Sequence, residues 1–284
     1  MNWARRSPLR YPGGKAKIGK YVAKIINVNK LKGCTYIEPY AGGAGVALAL
    51  LLNGYVSDII INDIDRSIYA VWYSILYRTE EFCTKILNTQ VTIDEWKRQK
   101  EIQNNKEEAL IFDLGFSTFF LNRTNRSGII KAGMIGGWNQ DSDYKMDCRF
   151  NKAELIKRIQ DVSVVKDRIR LLNLSAEELI IEEISRYEGR QAFIFFDPPY
   201  YENGHKLYTN FYIANDHEKL MALISKDVQV PWIITYDGNN FITNLYNQYR
   251  QKKYSLSYSA SVKREGEEIM IYSHNIDNCL MEAL

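Results

Sequence analysis

Four consecutive residues, Asp197-Pro198-Pro199-Tyr200, follow the apolar run AFIFF (192–196) and carry the sharpest chemical signal in the chain. Two successive prolines remove two N–H donors and keep the residue before each of them out of the helical region. The Pro198 carbonyl is thereby held in a fixed direction beside the Asp197 carboxylate, with the Tyr200 ring next to both. Two acceptors and an aromatic face at a strand end suit one task, clamping an exocyclic amino group on a planar base. The plainer reading is a rigid turn capped by Asp197, but a turn needs neither the tyrosine nor a place at the ligand-facing end of a strand.

A second constellation lies near the start. Glu38-Pro39-Tyr40-Ala41-Gly42-Gly43-Ala44-Gly45 closes the run beginning TYIEPY (35–40), and its glycines let backbone approach a ligand while the following helix offers N–H groups. Asp63 ends the next apolar run, DIIIND (58–63), twenty positions after Gly43 and suitably placed for ribose hydroxyls. Together they point to a nucleoside-containing cofactor. A dinucleotide is disfavoured, because Leu48 stands where G-x-G-x-x-G needs a third small residue. Gly13-Gly14-Lys15 is not a P-loop, since Leu9 and Ala16 replace the required glycine and hydroxyl. For Asp63 the alternative is an N-cap for a helix beginning near Arg66.

From Ser117 to Ala132 the chain has Arg123, Arg126 and Lys131 with no acid, together with Asn122 and Asn125. Arginine suits guanine edges and phosphates, asparagine suits adenine edges, and a solvated loop would share this composition. A second acid-free stretch, Lys252 to Arg264, fits either a phosphate track or a solvated hairpin.

These groups need a sheet to hold them. The stretch VALALLLNGY after the glycine loop reads as a helix stopped by Asn53-Gly54, and Ile59-Ile60-Ile61, apolar on both faces, suits a parallel strand covered on each side. After a helix RSIYAVWYSILY (66–77) the alternation lapses. A capping box at Thr92–Glu95 opens a polar helix, further helices are predicted over 107–121 and 152–168, and 122–150 is loop-rich. Alternation resumes with 169–172, a helix through AEELIIEEIS, AFIFF, a helix from Asp216, WIITY (232–236), a helix at 240–246, and an antiparallel pair YSLSYSA and EIMIYSH. The order predicts an α/β fold with a mostly parallel sheet and a C-terminal hairpin. Residues 1–77 and 165–284 would form the sheet domain, and 78–164 a mainly helical insert.

With 284 residues, 46% hydrophobic and 25% charged, the chain can bury a full core and is not disordered. A net charge of +3 is too small to argue for nucleic acid by itself. Cys34, Cys83, Cys148 and Cys279 form no C-x-x-C pair, and His205, His217 and His274 show no ligand spacing, so no metal site is expected. No apolar run reaches about 18 residues and the start lacks a signal stretch, which predicts a soluble, cytoplasmic protein.

In this order, the motifs resemble the Dam-like (D12 class) DNA adenine-N6 methyltransferase family along almost the whole chain. Leu9 to Lys15 is similar to its N-terminal glycine-lysine motif, 38–45 to its cofactor loop, Asp63 to its ribose-binding acid, 197–200 to its catalytic tetrad, and 121–128 to the Asn-Arg segment of its DNA-reading insert. Tyr11-Pro12 stands where the family commonly has Trp-Ala, and Ala44-Gly45 where Gly-Ser is commoner. The resemblance implies a Rossmann-like methyltransferase sheet, S-adenosylmethionine as cofactor and double-stranded DNA as substrate. It implies catalysis by Asp197, Pro198, Pro199 and Tyr200, and cofactor contacts from Tyr11, Lys15, Glu38, Pro39, Tyr40, Gly42, Gly43, Asp63 and Asp197. Asn122, Arg123, Asn125, Arg126 and Lys131 would meet DNA, although Lys15 also suits a phosphate or base edge. A monomer is expected, with a cognate restriction endonuclease left open as a partner. Rival readings are a catalytically silent DNA-binding protein and amino methylation of cytosine N4 or RNA.

Overall fold

The computed structural model describes residues 6–10, 16–189, 191–201, 212–258 and 264–277. By their contacts these residues form two compact units, one within 13–64 and 168–284, the other within 5–12 and 65–167. The sequence boundary at 77 therefore differs from the structural division: the helix RSIYAVWYSILY and the segment around Arg10 both go with the helical unit.

The first unit begins with α1 (Ala16–Val28), β1 (Thr35–Glu38), α2 (Gly45–Leu52) and β2 (Asp58–Asn62). The helical unit holds α3 (Arg66–Tyr77), α4 (Thr79–Asn88), α5 (Ile93–Asn104), α6 (Ile111–Thr124) and α7 (Lys152–Ser163). The chain then returns to the first unit with β3 (Ile169–Leu172), α8 (Ala176–Glu182), β4 (Ala192–Phe196), α9 (Ala214–Asp227), β5 (Trp232–Asp237), α10 (Asn240–Leu245), β6 (Arg250–Tyr258) and β7 (Arg264–Tyr272).

The strands form one sheet in the order β3-β2-β1-β4-β5-β7-β6, with β1 to β5 parallel and β7 antiparallel to both of its neighbours. The α/β architecture and closing hairpin expected from the sequence are present. Alternate strand residues Ile37, Ile60, Ile194, Phe196, Ile234, Ile269 and Ile271 bury one face against Leu179 and Ile180 of α8, Leu220 and Ile224 of α9, and Ile242 of α10. On the other side α2 packs on β1 and β2, and its apolar residues from Val46 to Leu51 are all buried. Helix α2 stops at Asn53-Gly54, Gly54 taking φ +72°. Helix α1 was not anticipated; it has no acid in its first turn and no base in its last, so the usual end signals are missing.

The strand order fixes where a ligand can lie. From β1 the chain steps outward to β2 and β3, then returns to place β4 on the other flank of β1, so the order reverses between β1 and β4. Such a reversal opens a crevice at the carboxyl ends of the two strands. Registers Ile37↔Ile194 and Glu38↔Ile61 bring the turns after β1, β2 and β4 to that same edge.

In the helical unit Thr92 caps α5 as expected, its hydroxyl accepting from the Glu95 N–H at 3.1 Å. The helix predicted over 107–121 instead spans Ile111–Thr124. The Arg66 guanidinium donates to the carbonyls of Lys106 and Ala109, and Leu110 is extended (φ −59°, ψ 140°), so helix cannot start before Ile111. Helix α7 ends at Ser163, and a short 3-10 turn at 166–168 takes up the rest of the predicted span. Among the described residues, no helix is long and apolar enough to cross a membrane.

Candidate active site

The segment leaving β4 is pinned from two neighbouring strands. Asp197 is buried, and its Oδ1 accepts from Thr235 Oγ1 of β5 at 2.9 Å. Tyr201 donates its N–H to Asp237 Oδ1, at the end of the same strand, at 3.0 Å. The Tyr200 hydroxyl donates to Glu268 Oε1 of β7 at 2.7 Å, and Glu268 Oε2 accepts from Tyr254 of β6 at 2.5 Å. Pro198 and Pro199 are buried between these anchors. The structure thus gathers all four residues of the tetrad at the β4 end of the crevice. Thr235, Asp237 and Glu268 were not singled out in the sequence. For Thr235 and Glu268 the signal was available: polar side chains inside apolar strand runs must find partners when buried.

Across the crevice, Glu38 is also buried. Its Oε1 accepts from the Tyr36 hydroxyl and the Ala47 N–H, both at 3.0 Å, tying β1 to the first turn of α2. The N-cap of that helix, Ala44, is left-handed (φ 45°) and provides no side-chain bond. The Pro39 carbonyl accepts from Asn62 Nδ2 at 2.9 Å. Asn62 also exchanges two 2.9 Å bonds with the Leu174 main chain, so one buried amide staples the turns after β1, β2 and β3. It too escaped the sequence reading.

Gly42 (φ +47°) donates its N–H to Asp63 Oδ2 at 2.9 Å, which brings the glycine turn and the predicted acid together. Gly43 is buried in the same turn, and Tyr40, half-buried, has its hydroxyl 3.0 Å from that of Tyr212. The N-cap of α3 is Asp65, which accepts from the Ser67 N–H at 2.9 Å, so the capping role considered for Asp63 belongs to its neighbour. Tyr11 and Lys15 lie outside the described residues.

Beside the tetrad, His217 is fully buried, with Tyr201, Tyr212 and Tyr236 rings 5.7, 5.3 and 5.3 Å from its own and Nδ1 3.1 Å from the Tyr236 hydroxyl. Burial pushes its pKa down to about 4, the nearby Asp216 opposing this only in part. The unfolded chain therefore binds a proton that the folded one refuses. The His217 contribution to stability is whole above about pH 6.5 and is lost as pH falls toward 4. Melting temperature measured from pH 7 to 4 should fall, and His217→Gln should remove part of that slope.

Of the residues expected to meet DNA, three are buried and engaged in the fold. Asn122 accepts from the Arg10 N–H at 2.7 Å and donates to the carbonyls of Arg10 and Gly128 at 2.7 and 2.9 Å. Asn125 accepts from Trp96 Nε1 at 2.7 Å and donates to the Ile129 and Ile130 carbonyls at 3.1 and 2.9 Å. Arg123 donates to the Arg149 carbonyl at 2.7 Å; burial and the neighbouring Arg10 and Arg158 push its pKa down to about 9, which still leaves it cationic at neutral pH. Asn122 and Arg123 lie on the last turn of α6, not in a loop. Arg126 and Lys131 are exposed on the segment that these bonds shape.

The model of the D12 class N6 adenine-specific DNA methyltransferase family matches residues 11–260. The chain is 26% identical over 205 residues to the Type II methyltransferase M.MjaIII of Methanocaldococcus jannaschii, 68% of each protein being covered. Similar solved structures include an SAM-dependent methyltransferase from Agrobacterium tumefaciens (TM-score 0.44, 7% identity, 91% of this chain and 61% of that one). Another is the rRNA methyltransferase aviRa from Streptomyces viridochromogenes (TM-score 0.43, 10% identity, 99% of this chain and 94% of that one). The family match spans most of the chain and takes in both the glycine turn and the tetrad, and the protein accordingly belongs to the D12 class DNA methyltransferases.

Proposed function

We propose that the chain transfers a methyl group from S-adenosylmethionine to the N6 amino group of an adenine extruded from duplex DNA at a specific site. The observation that carries this reading is the Asp197 carboxylate, fixed by Thr235 at the end of β4 and followed by two buried prolines. The N6 lone pair is delocalised into the purine ring and attacks poorly. A carboxylate and the Pro198 carbonyl accepting its two N–H bonds would localise density on nitrogen and stabilise the positive charge that develops there. Such a pocket cannot reach an amino group inside a stacked duplex, so the base must be turned out, with Tyr200 offering a ring face to it.

The donor set on the β1 side fits the cofactor. A carboxylate suited to ribose hydroxyls, Asp63, is joined to a turn whose Gly42 and Gly43 present main chain without side chains, and Gly45 at the start of α2 borders open space. Asp63, Gly42, Gly43 and Tyr40 would hold it, with Asp197 at the border with the base. Glu38 and Pro39 act one step back, through the bonds that shape the turn. When bound, the cofactor supplies an electrophilic methyl on a sulfonium. The test is incubation of the purified protein with duplex DNA and labelled cofactor, followed by sequencing of modified bases: label on adenine at a recurring sequence is expected, and label on cytosine or on RNA alone would refute the reading.

DNA contact is assigned to Arg126 and Lys131, with Asn122, Arg123 and Asn125 holding their segment in shape. Arg126→Ala and Lys131→Ala should each weaken duplex binding and lower the slope of log affinity against log salt by about 1, at unchanged melting temperature. Asn125→Ala should instead cost stability, about 1–3 kcal/mol, because the Trp96 indole N–H and two loop carbonyls lose their partner. Salt-dependent binding and thermal unfolding of the three variants separate the two roles.

A further inference from the structure

We infer that Glu268 is a positioning residue for the methyl transfer, acting through the Tyr200 ring; this rests on the adenine reading above. Glu268 sits in β7 opposite Asp237 of β5 and Tyr254 of β6, and is 1% exposed. A carboxylate is costly to bury and is kept only where its oxygens are satisfied. Here each oxygen receives a phenol O–H, Tyr200 at 2.7 Å and Tyr254 at 2.5 Å.

The two phenols are not equivalent. Tyr254 is buried within the hairpin, and its pKa is raised well above the ordinary range by burial and by the Glu268 charge. Tyr200 is half-buried and belongs to the tetrad. Its main-chain end is stiffened by Pro198 and Pro199, and Tyr201 beyond it is tied to Asp237. A phenol oxygen lies on the ring axis, so fastening it to a carboxylate stops the ring from swinging about χ1. Tyr200 is therefore held at both ends, which is the preorganisation that a stacking platform requires. A phenol donating to a carboxylate also carries a more electron-rich ring, and such a face attracts positive charge developing on a base stacked over it. Both effects favour the transition state over ground-state binding and should appear in kcat.

The experiment compares Glu268→Gln, Tyr200→Phe and the double variant with the wild type on a duplex carrying the sequence found by modified-base sequencing. A parallel duplex carries 2-aminopurine at the target position. Each single variant should lower kcat about tenfold with KM for DNA within twofold. Loss of ring stacking should brighten 2-aminopurine, and the double variant should be no slower than the worse single. Tyr254→Phe, which removes the other phenol, should lower melting temperature while changing kcat much less. Unchanged kcat and fluorescence in Glu268→Gln or Tyr200→Phe, or additive losses in the double variant, would overturn the inference. If Glu268→Gln fails to fold, Tyr200→Phe decides alone, since it removes the Tyr200–Glu268 bond outright and leaves the buried carboxylate with Tyr254. A wild-type enzyme that leaves adenine unmodified would refute the adenine reading itself, a result told apart from any difference between variants.

Discussion

Asp197→Ala is expected to lower kcat by about a thousandfold or more while leaving the melting temperature close to that of the wild type and duplex affinity within a few-fold. Removing one preorganised group aimed at developing charge typically costs 10²–10³, about 3–4 kcal/mol, and Asp197 is proposed to serve both as acceptor and as the fixed partner of the Pro198 carbonyl. The stability cost should be modest, because Asp197, which accepts from Thr235 Oγ1, lies at the margin of the sheet and beyond the last ladder residue of β4. Asp197→Asn tests the sign of the effect. It keeps the volume and one acceptor oxygen for Thr235 Oγ1, but removes the charge and replaces the second oxygen with an NH₂ that cannot accept, so it should be nearly as inactive. Single-turnover methylation of the cognate duplex, with circular dichroism and thermal unfolding alongside, makes the measurement. Full activity of Asp197→Asn would show that the negative charge at this position is irrelevant and that one amide oxygen is acceptor enough.

The second large effect is on folding. Gly115→Ala should destabilise the helical unit by about 3 kcal/mol or more, at or beyond the upper end of ordinary overpacking. A Cβ at position 115 of α6 would lie 2.3 Å from Ser74 Oγ, 2.4 Å from the Ala70 carbonyl oxygen and 2.9 Å from its carbon, all on α3. Alanine gains roughly 1 kcal/mol of helix propensity over glycine, too little to offset a clash with main chain. The hydroxyl of Ser74 could turn aside, but the carbonyl of Ala70 cannot move unless the two helices separate. Ser74→Ala in the Gly115→Ala background should therefore restore little. Denaturant unfolding measures the loss, and an unchanged midpoint for Gly115→Ala would show that α3 and α6 do not meet as described.

The parts of the molecule that could be read from sequence were those whose signals are local. The strands AFIFF, DIIIN and WIITY declare themselves by composition, Gly54 by its place after an apolar helix, and the tetrad by two prolines in a row. The parts missed depend on partners far along the chain. An asparagine near a helix end reads as polar surface until Arg10, 112 residues away, is seen bonding to Asn122, or until the indole of Trp96 is seen reaching Asn125. Asn62, Thr235 and Glu268 were hidden for the same reason. Each is a polar residue in an apolar run whose bond partner comes from another strand or turn. The start of α6 was misplaced because the competing demand for the Lys106 and Ala109 carbonyls comes from Arg66.

The parallel pairing of β2 with β3, from Ile59↔Ile169 to Asn62↔Leu172, limits how the gene can be cut and pasted. The polypeptide departs from one rim of the sheet and must re-enter at the opposite rim, a return that takes a dozen or more residues. Splicing position 64 directly to 168 would leave a gap no tight turn can bridge, so excision without replacement should wreck the scaffold. Exchange is another matter: any module that spans the two rims with the required handedness would satisfy the scaffold, leaving the segment between β2 and β3 open to substitution while the sheet stays put.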